Sequence, residues 1–442
     1  MKKRVLIFLA CVTTLALAAC NKEITVEQSA TSTPVAEATA TPEPTPEPTA
    51  TPEPTATPKP TATPTPDVDW YQEMLENSVM STGNNARVKK VLEKARSGET
   101  VNVVTLGGSI TEGGNASPMS KGYAYLFAQA FGETYGVNGG ENINYVNAGL
   151  SGTPSSLGVI RYERDVVEAL GAEPDLFFIE FAVNDWAEAT KSRAYESMVY
   201  DVLSQDNDAA VVMIMTVTNK NWNVQNEHLP IAKHYDVPVV GMKEAVFGAI
   251  NKNQMTKTKY FKDEYHPNNY GHQVMCDCLM QLFATIDAEE TEEMNPIPET
   301  AKFGRDFSEM KMIDAATEGF SVNPGSFTKV DSAVQGFQVK GGSSFPNNWM
   351  HDAAAGNESF KMTLTCKNLL LNYKTGGNEF GTAEVYVDGA LVTTLNGAGG
   401  WNNSNVVLIL DETEAAEHTV EIRMAEGQES KAFTIYAFGY TK

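Results

Sequence analysis

Between residues 67 and 296, short apolar runs alternate with segments whose apolar positions have helical spacing, for example 123–131 and 165–170. The apolar runs contain few polar interruptions, and they occupy residues 101–106, 143–146, 175–181, 210–217 and 237–240. Strands that are apolar on both faces are typical of a parallel sheet with helices on each side. The pattern therefore predicts an α/β domain with a doubly wound parallel sheet at residues 67–296.

From residue 301 the pattern changes to an alternation of apolar and polar positions, which is typical of strands with one buried face. Residues 383–387 and 391–395 alternate in this way, and the Asp388-Gly389 pair between them is a strong hairpin signal. Further strand-like runs follow at 419–424 and 433–438. We therefore expect residues 301–442 to form a C-terminal antiparallel β-sandwich domain.

The N-terminus has the pattern of an export signal. Basic residues at positions 2–4 precede a largely apolar run at 5–19, which is too short to span a bilayer. The run ends in Leu-Ala-Ala-Cys at 17–20, which resembles the bacterial lipobox. That resemblance implies a lipoprotein signal peptide at residues 1–19 and lipid attachment at Cys20. An ordinary secretory signal, in which Cys20 is incidental, is the alternative interpretation.

A low-complexity segment follows at residues 20–66, and from residue 30 onward it is mostly Thr, Pro, Ala and Glu. Such a segment cannot form a core, so it predicts an extended, disordered linker with a reach of at most ~145 Å. A lipid anchor with this linker would hold the folded domains away from the membrane. We therefore expect an extracytoplasmic protein, lipid-anchored to the bacterial cell membrane and exposed at the cell surface.

The composition is acidic: 33 Lys and Arg stand against 56 Asp and Glu, and the formal net charge is −23. Loss of the basic residues at 2–4 with a signal peptide would lower this charge to −26. A strongly negative protein is a poor ligand for nucleic acid, so we expect no nucleic-acid partner. The five cysteines are too few and too irregularly spaced for a disulfide framework.

Polar residues suited to catalysis follow several of the predicted strands. Ser109 comes after the first strand, Gly152 after the second and Asn184 after the third. Asp263 and His266, three residues apart, come after the fifth. Active sites of parallel α/β sheets lie at the carboxyl ends of the strands. We therefore expect these residues to lie close together.

In their order and local sequence, these blocks resemble the SGNH subgroup of the GDSL-type hydrolases. The resemblance extends from Val101 to the helix after His266. It implies the SGNH hydrolase fold, a flavodoxin-like doubly wound parallel sheet. It also implies a serine esterase that uses no metal and no organic cofactor.

The resemblance assigns Ser109 as the nucleophile, His266 as the general base and Asp263 as the carboxylate that orients the imidazole. Ester hydrolysis requires these residue types, because a hydroxyl needs a base to attack a carbonyl and histidine titrates near working pH. The remaining histidines match no metal-binding spacing, so no metal site is expected.

The same resemblance assigns the oxyanion hole to Ser109, Gly152 and Asn184, the first two through backbone N–H groups and the third through its side chain. Gly149 is the alternative to Gly152. Asp185 is interpreted instead as a cap of the next helix, which is a common use of aspartate.

One position departs from the family pattern. The first block usually reads Gly-Asp-Ser, and here Gly108 replaces the aspartate. That aspartate is not a member of the triad, so the change concerns only how the Ser109 loop is braced. Asn115, Trp186 and Tyr265 flank the blocks, where they either line a substrate pocket or pack within its wall.

We therefore expect a carboxylic ester hydrolase whose substrate is an acetylated polysaccharide or oligosaccharide. The acidic charge, the long linker and the accessory domain favour this substrate, and SGNH relatives that deacetylate polysaccharides are similar in combining these parts. Two alternatives stay open. One is a lipase, lysophospholipase or thioesterase of the same fold, and the other is a carbohydrate-binding surface protein with a vestigial hydrolase unit.

Overall fold

The computed structural model describes residues 69–400 and 402–442. The predicted signal peptide, the lipid attachment at Cys20 and the linker to residue 66 lie outside these residues, so they stay predictions. Within the described ranges, no helix is both long enough and apolar enough to cross a membrane.

The first part of the described chain contains a six-stranded sheet. Its strands are β1 (Val79–Ser81), β2 (Val101–Gly107), β3 (Ile143–Gly149), β4 (Leu176–Glu180), β5 (Ala210–Met215) and β6 (Val239–Gly241). The strand order is β1-β6-β5-β4-β2-β3, in which β2 to β6 are parallel and β1 is antiparallel to β6. The predicted doubly wound parallel sheet is confirmed, and the short antiparallel edge strand β1 is an addition to it.

Helices connect and flank these strands. They are α1 (Trp70–Ser78), α2 (Ala86–Ser97), α3 (Ser109–Glu112), α4 (Tyr123–Tyr135), α5 (Ser155–Tyr162), α6 (Arg193–Leu203), α7 (Gln225–Tyr235), α8 (Met242–Asn251), α9 (Lys257–Tyr260) and α10 (Asn269–Ala288). Short 3₁₀ turns occur at Met119–Lys121 and Asp185–Ala187, and a π-helical segment, Glu163–Glu168, continues α5.

The sheet is buried on both faces, which explains why its strands are nearly continuous apolar runs. Helices α1, α2, α4, α8 and α10 cover one face, where Phe127 of α4 packs against Phe178 of β4 and Phe283 of α10. Helices α5, α6 and α7 cover the other face around Phe177 and Ile179 of β4. Close packing on both sides therefore leaves only the strand ends open for a functional site.

The second part of the described chain is an antiparallel β-domain. Its strands are β7 (Lys311–Ile313), β8 (Ser321–Asn323), β9 (Trp349–Met350), β10 (Phe360–Thr375), β11 (Thr382–Val387), β12 (Ala390–Asn396), β13 (Asn403–Met424) and β14 (Thr434–Thr441). The main strand order is β12-β11-β13-β10-β14-β7, while β8 pairs with β10 and β9 pairs with β14. The predicted C-terminal antiparallel domain is confirmed.

Two long strands, β10 and β13, give this domain its two layers. The pairing of β10 with β13 is interrupted between Cys366 and Asn368. Before this point β10 also pairs with β8, and after it with β14. Phe360, from the first half of β10, stacks on Phe438 of β14 with ring centroids 5.8 Å apart. The two halves of β10 therefore contribute to facing layers around one core.

The β-domain packs on the α5 face of the α/β domain. Tyr436 of β14 and Leu370 of β10 belong to the same buried cluster as Leu157 of α5. Gly439 of β14 is so close to α5 that a Cβ atom there would lie 2.6 Å from Ile160 Cγ1. The two domains thus share a continuous apolar core. The change from α/β to antiparallel elements falls between α10 and β7.

Candidate active site

The structure joins Ser109, His266 and Asp263 in one chain of hydrogen bonds. Ser109 is the first residue of α3, directly beyond the carboxyl end of β2. Its Oγ lies 2.8 Å from Nε2 of His266, and Nδ1 of His266 lies 2.9 Å from Oδ2 of Asp263. A serine hydroxyl, an imidazole and a carboxylate in this order can pass a proton from the serine to the histidine.

The carboxylate of Asp263 is fixed by hydrogen bonds, most of them from its own loop. Oδ1 of Asp263 accepts hydrogen bonds from the backbone N–H groups of Tyr265 at 2.8 Å and His266 at 2.9 Å. Nδ2 of Asn115 donates to the other oxygen at 2.5 Å. Burial raises the pKa of Asp263, but the N–H groups and the imidazole outweigh this effect and lower the pKa to about 2. Asp263 is therefore ionised at working pH and keeps His266 oriented.

A second histidine supports the first from behind. His272 of α10 is fully buried, and its Nδ1 accepts the backbone N–H of Tyr123 at 3.2 Å. Its Nε2 therefore carries the proton and donates to the carbonyl of Gly114 at 3.0 Å. Burial lowers the pKa of His272 to about 4, so this imidazole is neutral. A Cβ atom at Gly114 would lie 3.0 Å from Cδ2 of His266, so Gly114 directly backs that ring.

The three predicted oxyanion donors follow three neighbouring strands. Strand β2 lies between β4 and β3, so Ser109 after β2 is flanked by Asn184 after β4 and Gly152 after β3. The backbone N–H groups of Ser109 and Gly152 donate no hydrogen bond to any described residue. The Ser109 N–H is unpaired because it begins a helix. Gly152 is exposed, with φ of +68°, a conformation that glycine adopts readily.

Gly149, the alternative to Gly152, has a different environment. Its N–H donates to Oδ1 of Asn147 at 2.9 Å, so it is not available to a substrate. A Cβ atom at Gly149 would lie 2.3 Å from the backbone nitrogen of Glu112, so the glycine allows α3 to pack against β3. These contacts favour Gly152 as the donor.

Asp185 was predicted to cap the helix that follows it, and this prediction is wrong. Oδ1 of Asp185 accepts the N–H of Ser155, the first residue of α5, at 2.8 Å. Its Oδ2 lies 3.2 Å from Nε2 of His228, and both side chains are buried. Asp185 therefore ties the end of β4 to the start of a helix that precedes it in the chain.

Two titratable residues beneath the site, Glu180 and Arg161, were not among the predicted site residues. Glu180 ends β4, and its carboxylate accepts hydrogen bonds from Thr111 at 2.9 Å and Thr216 at 2.5 Å. Burial raises the pKa of Glu180. Arg161 of α5 is wholly buried and donates to the carbonyl of Gly107 at the end of β2. The sequence could have indicated Glu180, because a glutamate at the end of an otherwise apolar strand is unusual. No sequence pattern distinguishes Arg161.

Exposed aromatic side chains surround the site. Trp186 is 73% exposed and closely follows Asn184, while Tyr265 is 49% exposed and precedes His266. Trp222, 41% exposed, lies in the loop after β5. Three aromatic rings are thus exposed to solvent on segments that follow β4 and β5 or precede α10.

The comparisons with known proteins agree with this geometry. A family model described as the GDSL-like lipase/acylhydrolase family matches residues 105–274, which include all five predicted catalytic and oxyanion residues. No curated protein sequence matches the chain.

Solved structures resemble both domains. A two-domain esterase active on acetylated mannans is 26% identical with a TM-score of 0.71, and the match covers 83% of this chain and 99% of that chain. The structure of such an esterase co-crystallised with mannopentaose has the same identity and TM-score, with 98% of that chain covered. An acetylxylan esterase from Geobacillus stearothermophilus is 19% identical over 45% of this chain and all of its own, with a TM-score of 0.35.

The fold, the residues at the carboxyl ends of its strands and the family match point to the same conclusion. The α/β domain carries the match to the GDSL-like lipase/acylhydrolase family, and the protein is an enzyme that hydrolyses ester bonds.

Proposed function

We propose that this protein is a carbohydrate acetyl esterase that removes O-acetyl groups from a polysaccharide by a serine acyl-enzyme mechanism. The observation that carries the mechanism is the hydrogen-bonded chain from Ser109 through His266 to Asp263. The observation that favours the substrate class is the likeness, over both domains, to an esterase active on acetylated mannans.

In the first step, Oγ of Ser109 attacks the carbonyl carbon of the acetyl group. Nε2 of His266, 2.8 Å away, accepts the hydroxyl proton as the new C–O bond forms. The imidazolium that results is stabilised by the ionised carboxylate of Asp263 on its other side. The intermediate then expels the sugar oxygen, which takes the proton back from Nε2.

The negative charge on the tetrahedral intermediate needs fixed donors. We assign these to the N–H groups of Ser109 and Gly152 and to the side-chain amide of Asn184. Donors that already point to this position need no reorganisation during the reaction, and loss of one costs about 3–4 kcal/mol in comparable sites. In the second step a water molecule, deprotonated by His266, attacks the acetyl-Ser109 ester. The C–O bond to Ser109 then breaks, Oγ takes the proton back from Nε2 of His266, and acetate is released.

The surface around Ser109 supports a sugar substrate. Trp186, Trp222 and Tyr265 present flat apolar rings to solvent on loops that border the site. The C–H face of a pyranose ring can stack on such a ring while the sugar hydroxyls remain hydrated. A neutral polysaccharide also experiences little repulsion from a chain of charge −23, unlike an anionic lipid surface.

Attachment to the cell membrane through Cys20 is part of the same proposal. A lipid anchor and an extended linker would place the esterase near polymers outside the cell. This location rests on the sequence pattern of residues 1–66.

The substrate proposal is tested by measuring kcat/KM for a series of 4-nitrophenyl esters from acetyl to octanoyl, together with acetate release from acetylated glucomannan. We expect the acetyl ester to be hydrolysed fastest and acetate to be released from the polymer. Ser109→Ala is the control, which should remove both activities by several orders of magnitude without lowering the melting temperature.

A steady rise of kcat/KM with acyl length would support the lipase alternative, because each buried CH₂ contributes about 0.8 kcal/mol in an acyl groove. Full activity of Ser109→Ala would reject the mechanism. Absence of activity on every ester would support the carbohydrate-binding alternative.

A further inference from the structure

We propose that Glu112 is a positioning residue that holds the oxyanion loop, and that the β-domain completes this support through Gln335 and Gln338. The oxyanion loop is defined here as Ser151–Gly152. The inference rests on the proposed function, in which the N–H of Gly152 binds the oxyanion.

Glu112 lies in the same short helix as the nucleophile. It is the last residue of the four-residue helix α3, which begins with Ser109. Its side chain is 0% exposed, although glutamate is almost never fully buried without partners. A carboxylate in this position therefore needs hydrogen-bond donors that offset the cost of removing it from water.

The partners of Glu112 are in the oxyanion loop and the β-domain. Oε2 of Glu112 accepts hydrogen bonds from Ser151 twice, from the backbone N–H at 2.9 Å and from Oγ at 2.5 Å. Oε1 accepts the backbone N–H of Gln338 at 2.6 Å. One buried carboxylate thus connects the helix of the nucleophile, the oxyanion loop and the second domain.

The β-domain binds the remaining polar atoms of Ser151. Nε2 of Gln335 donates to the Ser151 carbonyl at 2.5 Å, and Nε2 of Gln338 donates to Ser151 Oγ at 3.0 Å. The N–H, the carbonyl and the hydroxyl of Ser151 are therefore all engaged. The N–H of Gly152, the next residue, donates no hydrogen bond to a described residue, and a Cβ atom there would meet nothing within 4 Å. Release of Ser151 would therefore leave this glycine free to change conformation.

These contacts give Glu112 a role in catalysis without contact with the substrate. An oxyanion donor is effective only when it is fixed before the charge develops. Otherwise the free energy needed to orient the donor would cancel the stabilisation of the transition state. Glu112 and the two glutamines fix the residue that precedes the donor. Loss of these contacts should therefore weaken transition-state binding more than substrate binding.

The test uses Glu112→Gln in the full chain, with Glu196→Gln as a matched control. Glu196 is also 0% exposed, and it accepts backbone N–H groups from Phe303 at 2.5 Å and Gly304 at 3.0 Å in the connection to the β-domain. Both variants exchange one oxygen for an NH₂ group in a buried carboxylate that accepts backbone N–H bonds. Only Glu112 contacts the oxyanion loop.

We expect Glu112→Gln to lower kcat for 4-nitrophenyl acetate by roughly 10- to 100-fold, which is less than complete loss of an oxyanion donor. KM should change less than threefold. The inhibition constant of a boronic acid, whose tetrahedral adduct mimics the intermediate, should rise by the same factor as kcat/KM falls. Glu196→Gln should keep kcat and the inhibition constant within twofold, even where its melting temperature falls.

Gln335→Ala provides a second variant on a loop of the β-domain, in case Glu112→Gln does not fold. It should lower kcat several-fold and shift the inhibition constant in parallel. A folded Glu112→Gln or Gln335→Ala with wild-type kcat and inhibitor binding would overturn the positioning role. If Ser109→Ala retained activity, the proposed mechanism itself would fail, and the two results are therefore distinguishable.

Discussion

Gly108 lies directly against the side-chain amide of Asn184, so closely that a Cβ atom at residue 108 would be 2.3 Å from Asn184 Oδ1. Oδ1 of Asn184 is buried there and has no hydrogen-bond partner among the described residues. Any larger residue at 108 would have to move the amide. The glycine that departs from the Gly-Asp-Ser pattern therefore provides the space in which Asn184 sits.

The first prediction concerns this contact. Gly108→Ala should displace the Asn184 amide and lower kcat for an acetyl ester by about 100-fold, the range found for loss of one oxyanion donor. Steady-state kinetics would measure the effect. Gly248→Ala, at a helical glycine where a Cβ atom meets nothing within 4 Å, should leave kcat unchanged. Equal kinetics for the two variants would contradict a functional contact between residues 108 and 184.

The pH dependence follows from the state of the triad. Asp263 has a pKa of about 2 because the N–H groups of His266 and Tyr265 outweigh the effect of burial, so it remains charged above pH 4. Only a neutral imidazole at His266 can accept the Ser109 proton. We therefore expect the ionisation of Asp263 to contribute no step to the dependence of kcat/KM on pH above pH 4. A step between pH 4 and 6 that disappears in Asp263→Asn would contradict this assignment.

The lowered pKa of Asp263 also makes the free energy of unfolding depend on pH. A depressed pKa in the folded state means that Asp263 stabilises the fold above its ordinary pKa of 3.8, and that this contribution is lost as the pH falls towards 2. Asp263→Asn should therefore reduce the acid sensitivity of unfolding in this range. It should also lower kcat, by up to about 10⁴-fold, because the imidazole loses its charged partner.

The site residues that follow strands could be predicted from the sequence. Ser109, Gly152 and Asn184 each come within a few residues of the end of an apolar run, and parallel strands bring their carboxyl ends to one edge. The residues that hold them in position could not be predicted from the sequence. Glu112 looks like an ordinary polar residue in a short helix, and its partner Gln338 is 226 positions away in another domain. No local pattern indicates that a glutamate and a β-domain backbone amide will meet.

Trp186 provides a prediction about sugar binding. Trp186→Ala should raise KM for an acetylated oligosaccharide by roughly 3- to 10-fold, as expected for one aromatic contact of about 1 kcal/mol. It should leave kcat/KM for 4-nitrophenyl acetate within twofold, since that ester is too small to reach the ring. Leu391→Ala, at a 54% exposed residue of β12, is the control and should change neither value. Equal losses on both substrates would argue against a sugar-binding role.

A stability prediction concerns the buried ion pair of the β-domain. Nζ of Lys374 lies 2.7 Å from Oδ2 of Asp331, and the two side chains are 1% and 5% exposed. Lys374→Met would leave the carboxylate buried without its cation and should lower the free energy of unfolding by about 3–5 kcal/mol. Urea denaturation would measure this loss. Lys90→Met, at an exposed pair with Asp208, should cost less than about 1 kcal/mol.

The anchor is tested by Cys20→Ala, which removes the only residue that the lipobox pattern assigns to lipid attachment. We expect the variant to appear in the soluble fraction or to remain unprocessed, with normal esterase activity in the soluble form. Cys11→Ala, within the apolar run, should leave membrane fractionation unchanged. A membrane-bound Cys20→Ala would show that another attachment exists.

The close approach of Gly439 to Ile160 also bears on how this architecture can evolve. Accessory domains joined by linkers are readily lost, duplicated or exchanged between enzymes, because each part keeps its own surface. Here a strand of the second domain occupies the space beside a helix of the first, where any residue larger than glycine would meet Ile160 within 2.6 Å. A hydrolase that lost this partner would expose apolar helix surface to water. The two domains should therefore be inherited together, as one unit with a common evolutionary history.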